Sequence, residues 1–200
     1  MGRLMALIFD KAVPEGVVAA AQETLERLAL VGNARGGASL LPERFVSRQP
    51  LAVYTLGLSG LVRGGGLDQA AAVAWRVFVV DDCDEPVGSA EVASAAGADP
   101  PAFLGYTRGP QVVASGRALA DAEAAQGRYE PRFLEIPGIS ASALWLKNLS
   151  GGDDRIIPVD PVPRFLRDQA AYVPAEFLER VRPRARERLD HDDVPSRDHR

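Results

Sequence analysis

The chain has 200 residues, 46% of them hydrophobic and 25% charged, with a net charge of −4. That composition excludes a disordered or fibrous protein and is enough to enclose a substantial core. The acidic balance argues against a surface built throughout for nucleic-acid phosphates, and no stretch approaches the roughly 18 uncharged apolar residues of a membrane span.

The short apolar start ending at Phe9 is broken by Asp10 and Lys11, so no export signal is readable and the expected location is cytoplasmic. A lone cysteine, Cys83, fits a reducing compartment. The first predicted element is a helix over about residues 14–31, opened by Pro14, carrying Val17, Ala21, Leu25 and Leu28 on one stripe, and stopped by Gly32. Residues 32–66 are rich in glycine and proline and read as flexible loops around one strand, Leu51 to Leu58.

Ala72 to Val80 is β-branched and aromatic, as is Val87 to Val92, and the polar turn Asp81 to Pro86 between them predicts a hairpin. A second loop, 97–109, leads to a helix opened by Pro110 and closed by Gly127. Extended structure resumes at Arg132–Ile136, breaks at Pro137 and Gly138, and continues from Ile139 to Lys147. The turn-like Asn148–Asp154 and the run Arg155–Val159 complete a second hairpin. Helical signals restart at Pro163 and at Pro174, and Pro183 weakens their continuation. The expected fold is α+β: a mainly antiparallel sheet built from hairpins, packed by an N-terminal helix, a central helix and C-terminal helices. It occupies 1–189 as one domain, with 190–200 a disordered polar tail.

Catalytic groups are scarce. Both histidines, His191 and His199, fall in the last ten residues, which disfavours a histidine triad and the usual zinc or iron ligand sets. Cys83 is bracketed by Asp81, Asp82, Asp84 and Glu85, whose charge opposes the thiolate a nucleophile needs. The same acidic run fails the calcium-loop pattern, with Pro86 and Val87 where a ligand and a glycine belong. No catalytic residue, metal or cofactor is therefore assigned.

Four residues stand out as candidates for binding a ligand or partner. Arg63 precedes three glycines and could sit in an anion-binding loop, although neither phosphate-loop nor dinucleotide motif is complete there. Arg76 interrupts an apolar strand, with Trp75, Val77 and Val79 on one face and Ala74, Phe78 and Val80 beside it on the other. It must find a carboxylate, solvent or an anionic ligand. Trp145 and Lys147 follow Ala141 and Ala143 on one strand face, which makes either a shallow groove or room for a closely packed helix. Arg180, Arg182, Arg184, Arg186 and Arg188 form a basic run that disperses if helical and aligns if Pro183 forces extended structure.

The leading expectation is a non-catalytic interaction or accessory protein, acting through protein contacts or self-association, because the hairpin strands look apolar on both faces. One alternative is a small-ligand binder or enzyme that uses Arg76 with Glu91, Glu135 or Tyr129 and needs neither histidine nor metal, a small anion being one possible ligand. The other is weak nucleic-acid binding through the arginine run, an unfavoured partner class, and no membrane partner is expected.

Overall fold

The computed structural model describes residues 7–9, 13–14, 16–34, 46–47, 50–93, 101–123 and 127–192. In chain order these form α1 (Val17–Ala34), β1 (Val46–Ser47), β2 (Leu51–Thr55), α2 (Leu58–Val62), β3 (Ala71–Val80), β4 (Pro86–Ala93) and β5 (Phe103–Thr107). The chain continues through α3 (Pro110–Glu123), β6 (Tyr129–Ile136), β7 (Ala141–Asn148), β8 (Arg155–Pro158) and α4 (Pro174–Asp192).

Seven strands form one mixed sheet in the order β5-β4-β3-β2-β6-β7-β8, and β1 pairs with β3 beside that path. Every neighbouring pair is antiparallel except β2 and β6, which run parallel with Val53 opposite Phe133. Short connections explain the antiparallel pairs β3–β4, β6–β7 and β7–β8, whereas β2 and β3 pair across the segment that carries α2. The parallel pair is possible because β3, β4, β5 and α3 together provide the long crossover that parallel strands require. The sheet is thus mainly antiparallel, as its hairpin signals predict, with one parallel step that local patterning does not reveal.

Both predicted hairpins form. In the first, Arg76 lies opposite Glu91 and Phe78 opposite Ser89. Its turn is held by Asp81, whose Oδ1 accepts the backbone N–H groups of Cys83 at 2.9 Å and Glu85 at 3.1 Å. The acidic turn is therefore built around a local Asp cap, a common way for that side chain to stabilise a reversal.

Alternation along β3 divides its residues between two faces. Trp75, Val77 and Val79 pack with Ala90 and Val92 beneath Val17, Ala21 and Leu25 of α1. Further along the same face, Ala141, Ala143 and Trp145 pack with Phe177, Leu178, Val181 and Ala185 of α4 and Leu61 of α2. On the opposite face, Ala74, Phe78, Phe133, Leu144 and Leu146 pack with Val112, Leu119 and Ala122 of α3. The hairpin is covered on both sides by the chain itself. The small residues of β7 accommodate a helix, as one of the two sequence readings of that segment anticipates.

Several boundaries differ from expectation. Gly16, at φ 91°, delays the start of α1 to Val17, and the helix passes through the predicted stop at Gly32 to Ala34. One glycine near a helix end costs only about 1 kcal/mol. The region 32–66 is not simply loop around one long strand: β2 stops at Thr55, α2 begins at Leu58, and β1 lies upstream. The loop 97–109 contains β5, an edge strand with Gly105 at its centre that weakens the local signal. Ile139 belongs to a short 3-10 helix, Pro137–Ile139, and β7 follows Ser140 at φ 50°.

At the C-terminus, Pro163 opens only the 3-10 turn Arg164–Leu166, whereas α4 runs unbroken through Pro183 to Asp192. The predicted tail 190–200 is thus helical at its start, with His191 on α4; residues 193–200, including His199, lie outside the described residues. A mid-helix proline costs about 3 kcal/mol. Here Pro183 faces solvent, where water can reach the carbonyl group it leaves without a partner. Burial of Phe177, Leu178 and Val181, worth roughly 1.5–3 kcal/mol each, outweighs the loss.

Polar contacts also tie α4 to the connecting segments beside it. Asp168 accepts hydrogen bonds from the Tyr172 hydroxyl and from Arg180, while Arg182 Nη2 donates to the carbonyl oxygens of Gly64 and Gly65 at 3.2 Å each. The Tyr172 hydrogen bond holds the Asp168 carboxyl below its ordinary value, and burial followed by the same bond raises the Tyr172 phenol. A depressed acid stabilises the folded state above its unfolded value and loses that contribution as pH falls through the folded one. A raised phenol contributes below its unfolded value and loses its contribution as pH rises past it.

This packing makes two testable demands. Asp168→Asn should lower stability near neutrality, with the gap to wild type closing below the ordinary aspartate range; denaturant unfolding across acid pH measures it, and a gap independent of pH would contradict the assignment. A Cβ at Gly116 of α3 would lie 2.1 Å from Pro86 Cγ, so Gly116→Ala should cost roughly 1–3 kcal/mol by forcing α3 off the hairpin. A thermal unfolding midpoint equal to wild type would contradict that close approach.

Candidate functional site

The α3-covered face of the sheet holds an arginine inside an otherwise apolar layer. The Arg76 side chain is 11% exposed, and its guanidinium lies 3.9 Å from the centre of the Phe133 ring. Nε donates to Glu91 Oε1 at 3.0 Å, Nη2 donates to the same oxygen, and Nη2 also donates to Glu135 Oε1 at 2.8 Å. Hairpin register places Glu91 opposite Arg76, whereas Glu135 comes from β6, beyond β2. One cation is thereby shared by two carboxylates whose side chains are 31% and 28% exposed.

Beside this group an open cavity of about 220 Å³ lies between the sheet and the start of α3. Arg76 and Glu135 line it together with Ser89, Ser115, Thr107 and Gln111, and Phe78 and Val112 supply the apolar part of its wall. Ser89 and Ser115, each 3% exposed, are the two buried polar residues among the described ones, and both face this recess. The Ser115 hydroxyl donates to Gln111 O at 2.8 Å. No hydrogen bond joins the Ser89 hydroxyl to another described residue. Thr107 and Gln111 are exposed at the entrance.

The structure brings together Arg76, Glu91 and Glu135, three residues that the sequence offers only as separate candidates for one binding chemistry. Tyr129 does not join them: it is buried elsewhere in the same layer, with Arg155 5.7 Å from its ring centre. Ser89, Ser115, Thr107 and Gln111 were missed. Ser89 shares a strand face with Glu91, and Ser115 interrupts the helical stripe Val112, Gly116, Leu119, so a polar residue on an inward face was the available signal.

The remaining candidates fall elsewhere. Arg63 is exposed at the end of α2, and the N–H groups of Arg63, Gly64 and Gly65 are bonded to Ser59, Leu61 and Gly60 carbonyls. That turn offers carbonyl oxygens to Arg182 and has those N–H groups engaged, which argues against an anion cradle. Trp145 lies beneath α4, and its Nε1 donates to Asp154 Oδ2 at 2.8 Å. Its ring packs edge-on to Tyr54 at 5.4 Å, and Arg132 lies 4.8 Å from the Trp145 ring centre. The chain's own arginine and Tyr54 fill the space beside the ring. Lys147 is half-buried opposite Glu130.

The basic run lies on α4 and disperses around it, so the extended alignment does not occur. Arg180 reaches Asp168, Arg182 the glycine turn and Arg184 the side chain of Glu187 at 2.6 Å, while Arg186 and Arg188 are exposed. No described helix is long and apolar enough to cross a membrane.

Arg76→Met would leave Glu91 and Glu135 facing each other without their shared cation. The expected cost is roughly 2–4 kcal/mol, reduced from a fully buried pair because both carboxylates reach solvent. Denaturant unfolding measures it, and adding Glu135→Gln to Arg76→Met should recover part of the loss; a cost under about 0.5 kcal/mol would show that the ion pair contributes little. In comparisons with known proteins, no family model matches the chain, and neither a curated protein nor a solved structure matches it.

Proposed function

We propose that this chain binds a small polar organic molecule in the recess between α3 and the sheet. The observation that carries this reading is the concentration of buried polarity around one cavity: Ser89, Ser115 and the Arg76 ion-pair group all meet there. Burying polar groups without full compensation opposes folding, and ligand sites are where such groups converge on a concave surface. The cavity is below the usual range for drug-sized ligands, so its occupant is small.

Coverage of the β3–β4 hairpin by α1 on one face and α3 on the other favours this reading over the protein-contact one, which rests on the scarcity of catalytic groups and on hairpin strands apolar on both faces. Dispersal of the arginines around α4 likewise gives nucleic acid no continuous basic stripe. The reading requires no histidine or metal; its polar groups are the Arg76 guanidinium, the Glu135 carboxylate and neutral hydroxyl and amide groups.

A fragment screen by protein-detected NMR tests it. Binding should move the backbone signals of Ser89, Thr107, Gln111 and Ser115 together, and should raise thermal stability by mass action. Ser89→Leu, which fills the recess, should abolish both responses. Fragments that bind this variant as well as wild type, or a screen in which none of the four signals moves, would overturn the proposal.

A further inference from the structure

The charge arrangement within the recess specifies the ligand further, an inference that rests on the binding reading above. Arg76 commits Nε and Nη2 to Glu91 and gives Glu135 a single contact, through Nη2. One guanidinium against two carboxylates leaves one negative charge in excess. Glu135 is the carboxylate that lines the cavity, and its Oε2 makes no hydrogen bond to a described residue. The other polar lining groups apart from Arg76 are neutral. An anion would therefore meet a cation already outnumbered, whereas a ligand ammonium would restore charge balance and supply a donor to Glu135 Oε2.

The opposite requirement exists near α3. Ser89, 3% exposed and without a hydrogen bond to a described residue, presents a hydroxyl to the same cavity. Gln111, in the first turn of α3, adds a side-chain amide, and its backbone N–H makes no hydrogen bond to a described backbone carbonyl. These donors, together with the partial positive charge of a helix N-terminus, match a ligand oxygen. We infer that the recess selects a small molecule joining a primary ammonium, held by Glu135, to a hydrogen-bond-accepting oxygen, held by Ser89 and Gln111.

The test compares three probes with the same four-carbon chain and terminal hydroxyl: aminobutanol, butanediol and hydroxybutyrate. Each is titrated into wild type and Glu135→Gln, with the amide signals of Ser89, Thr107 and Gln111 as the readout. The side-chain amide introduced by Glu135→Gln retains an oxygen that can accept from Arg76 Nη2, so folding is preserved in design, and the dispersion of the remaining spectrum checks it. Aminobutanol should bind at least about tenfold more tightly than either other probe, and Glu135→Gln should remove roughly that advantage. Butanediol or hydroxybutyrate binding at the recess as tightly as aminobutanol would overturn the ammonium inference and leave the binding site standing. If none of the three moves the cavity signals, while fragments of other chemistry do, the ammonium inference again falls alone; if no fragment moves them, both readings fall.

Discussion

A strand that is apolar on both faces has to be covered twice, and β3 imposes that requirement on the whole molecule. Its Trp75, Val77 and Val79 draw α1 onto one side, while Ala74 and Phe78 draw α3 onto the other. With β3 inside the sheet, the chain must place helices in two layers, and the crossover that carries α3 returns β6 parallel to β2. The extension through β7 then needs a cover of its own, supplied by α4 over Ala141, Ala143 and Trp145. Hydrophobic burial on both surfaces of one sheet thus accounts for the helix placement and the mixed strand order.

Against that background Arg76 and Arg132, which both point into apolar layers, are informative because each is satisfied differently. Arg132 lies on the α1 and α4 side, 4.7 Å from the centre of Tyr54 and 4.8 Å from that of Trp145, with Glu130 Oε1 at 2.5 Å. Aromatic rings and one carboxylate enclose it, and it contributes to packing. Arg76, on the α3 side, joins two carboxylates and borders a cavity with buried hydroxyls. Both obey the rule that a buried cation needs compensation. Arg76 does so beside open volume, and the functional reading attaches to it for that reason.

The C-terminal segment illustrates a different balance. Local chemistry at Pro183 opposes a continuous helix, but an apolar stripe from Phe177 to Ala185 gains more by remaining helical than the missing hydrogen bond loses. Continuity of α4 in turn directs Arg180 to Asp168 and Arg182 to the Gly64–Gly65 turn. Residues that look in sequence like an extended basic patch become a set of separate docking contacts. Here packing overrides a local breaker and changes the meaning of the charges beyond it.

By itself the sequence determined the two hairpins, the apolar stripe of α1, the alternating faces of β3 and the need for Arg76 to find a partner, because these follow from side-chain periodicity and solvation over short spans. It also made Glu91 accessible to reasoning, since a short turn places that residue opposite Arg76. Tertiary structure decided what periodicity does not encode: β2 lying parallel to β6, β5 surviving as an edge strand despite Gly105, and α4 running through Pro183. It likewise decided that Glu135, 59 residues beyond Arg76, shares its charge, and that Ser89 and Ser115 face a common recess. Strand order and helix placement create those encounters, and they depend on the burial of the whole sheet, which no short segment specifies alone.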